Sequence, residues 1–219
     1  MSDITLTAFR WVPPFAQGLV RDLRVRWALE EAGMAYEERL IGPDEQNTPT
    51  YRQRQPFGQV PVLEQDGLVL FESGAIVLHI AEQSPALLPT AVDARLRVRT
   101  WMFASLSTVE PPILALNALG MKAPASDGVV QSRDQVAGRV DQRLDSLTAF
   151  LEGRQHLEGD FSAADLLMTT VLRVLRDTDR VTSRPVLRDY QARCEARPAF
   201  QRALAAQMDT FARHAPATA

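Results

Sequence analysis

The sequence predicts a molecule in two parts, an α/β N-terminal region over residues 1–84 and an all-α region over 94–219, joined by a linker at 85–93. Three observations carry this reading. The N-terminal part alternates between apolar repeats of period two, which suit strands, and repeats near 3.6, which suit helices. Pro85 and Pro89 then interrupt both patterns. Beyond them only the helical repeat survives.

Taken in order, Ile4, Leu6 and Ala8 alternate with Thr5, Thr7 and Phe9, which predicts a strand. Over 17–32 the period changes: Leu19, Val20, Leu23 and Trp27 share one helical face, and Asp22, Arg26 and Glu30 recur at intervals of four on another. Gly33 is the natural stop, because glycine takes a left-handed conformation at little cost. A second strand is predicted over 35–41, a polar loop over 42–50 and a short helical piece over 51–55. Two apolar runs, Val60-Pro61-Val62-Leu63 and Leu68-Val69-Leu70-Phe71, flank Asp66-Gly67, whose tolerance of positive φ signals a hairpin. A helix follows over 73–82, giving the order β-α-β-α-β-β-α. Helices are predicted over 94–119, 129–151, 163–178, 186–197 and 199–213, with Ser162 and Asp165 at capping-box spacing, a device that serves folding. Residues 121–129 read as a rim between helices, and 215–219 as a fraying tail.

Composition removes several kinds of chemistry. Apolar residues make up 46% and charged residues 23% of 219, the balance of a globular chain that builds its own core. A net charge of −3 argues against coating nucleic acid or an anionic membrane, and the Arg95, Arg97, Arg99 run is scattered around its helix. Lys122 is the only lysine, so there is no phosphate-cradling Gly-Lys-Ser/Thr run and little prospect of Schiff-base chemistry. Cys194 is alone and reads as a small packing residue, and His79, His156 and His214 lack metal-ligand spacing, so no metal is expected. Neither a leader pattern nor an apolar run near the ~20 residues of a membrane span is present, which makes a cytoplasmic protein the expectation.

One segment carries specific chemistry. Pro61 stands inside an apolar run yet donates no ladder hydrogen bond, so it belongs at a strand start, an edge or a special turn. A cis Val60–Pro61 bond there would leave the Val60 amide and carbonyl free for an extended peptide ligand. Glu72-Ser73 ends the next strand and opens a helix, where helix amides and the Ser73 hydroxyl attract a carboxylate while Glu72 attracts an ammonium. Together these describe a receptor for the head of an amino acid; the bland reading is a helix cap with a dipole partner.

The runs Gln55-Pro56-Phe57-Gly58-Gln59-Val60-Pro61-Val62-Leu63 and Leu70-Phe71-Glu72-Ser73-Gly74-Ala75-Ile76 resemble the glutathione-binding segment of the cytosolic glutathione S-transferases. The stretch 23–33 resembles that family's first helix, and Phe161-Ser162-Ala163-Ala164-Asp165 its capping box, so the likeness spans nearly the whole chain. It implies a thioredoxin-like N-terminal domain, an all-helical C-terminal domain and a homodimer that detoxifies small apolar electrophiles with glutathione as co-substrate. By position, Val60 would pair with the cysteinyl unit, Pro61 would be cis, Glu72 and Ser73 would hold the γ-glutamyl head, and Gln59 would lie near the tripeptide. Gln46, Arg52 and Arg54 are alternatives for the glycyl carboxylate.

The family usually places a Tyr, Ser or Cys after the first strand to stabilise the thiolate. Here Arg10-Trp11-Val12-Pro13-Pro14-Phe15-Ala16-Gln17-Gly18-Leu19-Val20 holds neither hydroxyl nor thiol. Arg10 and Gln17 are the candidate catalytic donors, beside the Trp11 indole and the amides opening the first helix. Arg10 also fits an outward strand position paired with an acid. Trp11, Phe15, Met102, Phe103 and Leu106 are the residues expected to line a hydrophobic substrate pocket, although the spacing of the last three also suits an ordinary core. Three functions stay open: conjugation, glutathione-dependent peroxide reduction or isomerisation, and a non-catalytic glutathione-binding stress adaptor.

Overall fold

The computed structural model describes residues 3–122 and 127–216; the middle of the 121–129 rim, the side chain of Lys122 and the end of the tail lie outside the described residues. Contacts group the chain into two compact units. One runs to Leu88 and takes up the chain again from Ala196; the other is Pro89–Glu195.

The first unit is built on a four-stranded sheet in the order β2-β1-β3-β4. β1 (Ile4–Phe9) runs parallel to β2 (Glu37–Ile41) and antiparallel to β3 (Val62–Gln65), which pairs with β4 (Leu68–Phe71). A parallel pair needs a crossover, and α1 (Asp22–Ala32) supplies it, ending at Gly33 with φ 66°. The β3–β4 hairpin turns on Asp66 at φ 50° and Gly67 at φ 85°, the left-handed pair that matches strand twist. α2 (Pro49–Arg52) is capped by Thr48, and α3 (Ser73–Glu82) follows β4 directly. The predicted order of strands and helices is thus present, in the thioredoxin-like arrangement.

The polar stripe on α1 faces the protein interior. Residues 22–29 are all buried, because α9 (Pro198–Arg213) covers the charged side. Arg26 Nε donates to Asp22 at 2.7 Å, both side chains being 1% exposed, and Arg26 Nη1 pairs with Glu38. Gln207 Nε2 donates to Asp22 Oδ1 at 2.8 Å, the Thr210 hydroxyl donates to Glu38 at 3.1 Å, and Arg197 grips Glu31 through two nitrogens at 2.6 and 2.8 Å. Burial raises the Asp22 carboxyl pKa in spite of Arg26; burial opposes the charge on Arg26 as well, but Asp22 and Glu38 outweigh it. With Trp27 edge-on to Phe200 at 4.7 Å, these contacts place the last helix, predicted with the helical region, in the first unit.

The second unit is helical. α4 (Val92–Ala104) passes through a π-helical turn, Ser105–Val109, into α5 (Glu110–Lys122), where the sequence predicted one regular helix. Pro111 and Pro112 account for the difference: two successive residues without an N–H loosen the ladder, and the Glu110 amide reaches back to the Ser105 carbonyl. α6 (Asp127–Leu151), α7 (Ala163–Leu172) and α8 (Pro185–Glu195) complete the unit. Every residue of α7 is buried, and the predicted capping box is formed at its start. Asp165 accepts from the Ser162 amide at 3.0 Å, the Leu157 amide at 2.9 Å and the Tyr190 hydroxyl at 2.9 Å. Cys194 is fully buried.

Asp165→Ala therefore strands three donors in a dry site, at about 1–3 kcal/mol each, whereas Ser162→Ala removes a single cap worth about 1 kcal/mol. Urea unfolding is expected to rank the two variants in that order by a clear margin.

Candidate functional site

The loop before β3 is held from several sides. The buried Tyr51 hydroxyl donates to the Gln59 carbonyl at 2.5 Å. Buried Gln55 accepts from the Phe57 amide through its side chain at 2.6 Å and from the Gly58 amide through its carbonyl at 3.0 Å. Gly58 sits at φ 64°, where a Cβ would come within 2.8 Å of the Gln46 carbonyl oxygen and 2.9 Å of Arg52 Cζ, so only glycine fits. Arg52 closes the loop by donating to the Pro56 carbonyl at 2.7 Å and to Asn47 at 2.8 Å.

The Val60–Pro61 bond is cis, and Pro61 falls just outside β3, where its missing N–H leaves no gap in the ladder. Among the described residues, neither the amide nor the carbonyl of Val60 has a hydrogen-bond partner. Glu72, at φ 69° and ψ 111°, occupies a region that non-glycine residues rarely enter, and it delivers the chain into α3. Ser73 is 5% exposed, and its Oγ accepts from Arg24 Nη1 at 3.2 Å.

The five residues predicted to form the binding site, Gln59, Val60, Pro61, Glu72 and Ser73, line one depression, with Gln55 and Arg21 beside them. It presents donors (the Ser73 hydroxyl and amides at the start of α3), an acidic group (Glu72), a cation (Arg21) and an open stretch of main chain. That combination suits a zwitterion continued by a peptide. Sequence reasoning did not assign Arg21, Arg24 or Tyr51 to the site. For Arg24 the signal was an arginine next to Leu23 on the apolar side of a helix, where its charge needs a buried partner.

The two catalytic candidates are engaged elsewhere. Arg10 Nη2 donates to Glu45 Oε2 at 3.2 Å and to the Leu40 carbonyl at 3.3 Å, both side chains being about half exposed. Gln17 is partly buried and its Nε2 donates to the Val12 carbonyl at 3.0 Å. Of the glycyl-carboxylate alternatives, Arg52 holds the loop and Arg54 pairs with Glu64 at 3.2 Å, while the Gln46 side chain has no partner among the described residues. Trp11 and Phe15 belong to the first unit, Phe15 being exposed; Met102, Phe103 and Leu106 belong to the second, Met102 being buried and Phe103 exposed. Among the described residues no group of three or more His, Cys, Asp or Glu is placed to hold a metal, and no helix is long and apolar enough to cross a membrane.

Residues 15–82 match the model of the glutathione S-transferase N-terminal domain family. The chain is 32% identical over 194 residues to glutathione S-transferase 4 of Zea mays, covering 82% of this chain and 81% of that protein. It is 35% identical over 150 residues to glutathione S-transferase F10 of Arabidopsis thaliana, covering 63% and 68%. Among solved structures, the theta class glutathione S-transferase of Xanthomonas axonopodis pv. citri with glutathione bound aligns at TM-score 0.77 and 29% identity, over 93% of this chain and 98% of that one. A glutathione transferase of Burkholderia graminis with two glutathione molecules per subunit aligns at TM-score 0.80 and 26% identity, over 92% and 87%.

The Tyr51 anchor has a pH signature. Burial pushes its hydroxyl up to about 12, against a smaller opposing pull from Arg54. Because the folded value lies above the ordinary value near 10, the stability it contributes is complete below about pH 10 and lost as pH rises through 12. Tyr51→Phe is expected to lower stability by about 1 kcal/mol at neutral pH and to flatten the alkaline decline between pH 10 and 12 in unfolding experiments.

Proposed function

Because this chain belongs to the glutathione S-transferase family, we propose that it binds glutathione in the depression at Val60, Glu72 and Ser73 and adds the thiolate to small apolar electrophiles. The observation that carries this is the unpaired main chain of Val60 beside a buried serine hydroxyl and an exposed acid. The Val60 amide and carbonyl pair with the cysteinyl unit, Ser73 donates to the γ-glutamyl carboxylate, Glu72 accepts from its ammonium, and Gln59 borders the tripeptide. Gln46 takes the glycyl carboxylate, since Arg52 and Arg54 hold other partners.

The reaction needs the thiol proton removed and the resulting anion stabilised until it forms the new carbon–sulfur bond. Both candidates hold protein partners; Arg10 shares its charge with Glu45, whereas Gln17 lends its amide nitrogen, which carries two N–H groups, to the Val12 carbonyl, so Gln17 is taken as the donor. Phe15 and Trp11, flanking that stretch, give the electrophile apolar surface. The protein is a homodimer, a reading supported by apolar residues left at the surface: Leu68 and Val69 on edge strand β4, and Val92, Leu96 and Phe103 along one side of α4. It works in the cytoplasm, where glutathione is kept reduced. One observation favours a second reading, binding without turnover: residues 10–20 contain no hydroxyl or thiol.

Retention on immobilised glutathione, together with turnover of a chloro-dinitroarene, is the expected outcome. Turnover of a peroxide alone assigns the thiolate to reduction, retention without turnover of either leaves a binding protein, and no retention overturns the proposal. Gln17→Ala should raise the pKa of bound glutathione and lower kcat by about 10- to 100-fold, the worth of a hydrogen bond to a charged group. Arg10→Ala should leave both unchanged; the reverse pattern would return the role to Arg10.

A further inference from the structure

We propose that Arg24 is a positioning residue that fixes Ser73 as a hydrogen-bond donor, and so makes the depression select a carboxylate at the head of its ligand. This rests on the assignment of Ser73 to the γ-glutamyl carboxylate and goes beyond it by naming what gives that serine its direction. A serine hydroxyl can donate or accept, so by itself it does not distinguish a carboxylate from an amide N–H or an ammonium. A guanidinium only donates and stays charged at any working pH. At 3.2 Å, Arg24 Nη1 occupies an acceptor position of Ser73 Oγ, which turns the serine proton away from α1.

Both groups are nearly dry, Arg24 being 4% and Ser73 5% exposed, so water is a poor competitor for either. Among the described residues the Ser73 hydroxyl proton has no acceptor. A buried O–H with an occupied lone pair and no acceptor is completed by a ligand that accepts. The hydrogen bond from Arg24 polarises the hydroxyl and strengthens it as a donor. α1 is well suited to hold the guanidinium still: α3 packs against it, and Arg21, the residue just before its start, borders the same depression.

The test is calorimetric binding of three ligands to the full chain: glutathione, 4-aminobutyryl-Cys-Gly (ammonium kept, α-carboxylate absent) and glutaryl-Cys-Gly (carboxylate kept, ammonium absent). Arg24→Met is expected to weaken glutathione and glutaryl-Cys-Gly about tenfold and to leave 4-aminobutyryl-Cys-Gly within about twofold. Arg24→Lys, which keeps a donor-only cation, should recover most of the loss. In a Ser73→Ala background Arg24→Met should have no further effect, because the group it directs is gone. If Arg24→Met does not fold, Arg24→Gln replaces it; its amide can donate or accept, so the preference for the carboxylate ligands should shrink in the same sense.

Equal weakening of all three ligands by Arg24→Met or Arg24→Gln, or a loss that adds in full to that of Ser73→Ala, overturns the role of Arg24 while leaving the glutathione site standing. Failure of the unmodified chain to bind glutathione at all removes the site and the role together, so the two failures are told apart.

Discussion

A peptide N–H and C=O with no partner in the protein are left for water or a ligand to satisfy, and the site is organised around keeping Val60 in that state. Nothing intrinsic to a valine favours this. The residues before it do the holding: Tyr51 and Gln55 engage the turn from beneath, Gly58 allows the chain to pass the Gln46 carbonyl, and Arg52 ties the outside of the loop. Glu72 at positive φ is a second departure from relaxed geometry, across the same depression. Two such features side by side are what a surface prepared for a peptide requires, with its binding groups ordered before the ligand arrives.

That arrangement is only as firm as the helix behind it. α1 carries Arg24 to Ser73 and Arg21 to the rim of the depression, and it is fastened from the opposite side by the last helix of the chain. The fastening is ionic and dry: Asp22, Arg26 and Glu38 share charge in the interior, and Gln207 and Thr210 fill the remaining acceptor positions. Removing one member of such a set leaves a buried charge uncompensated, which is strongly destabilising even where the intact set adds little net stability. The site and the C-terminus are therefore linked through a single short helix of 11 residues.

What could be read in advance follows from which interactions are local. Strand periods, the Asp66-Gly67 turn, the Gly33 stop and the Ser162–Asp165 box involve neighbours in sequence, and each appears in the structure, with β3 starting two residues into the predicted apolar run, at Val62, and β2 two residues after the predicted start, at Glu37. Of the five residues that line the depression, Val60, Pro61, Glu72 and Ser73 stood out as an out-of-place proline and a Glu-Ser pair at a helix start, whereas Gln59 came only from the family resemblance. Two features were not legible. Asp22, Arg26 and Glu30 have the spacing of a solvent-facing stripe, and only a partner some 185 residues away turns Asp22 inward. Likewise, Arg10 reads equally well as a thiolate donor or as half of a surface pair, and its partner Glu45 lies 35 residues on, in a loop without periodicity.

The Val60 main chain is the first place where a bound peptide would register, and amide hydrogen exchange followed by NMR reaches it directly. On titration with glutathione, the Val60 N–H should become protected in step with ligand occupancy, as a free donor acquires an acceptor. Unchanged exchange at Val60 in a chain that demonstrably holds glutathione would rule out pairing of the cysteinyl unit with Val60 and move the tripeptide to another part of the surface.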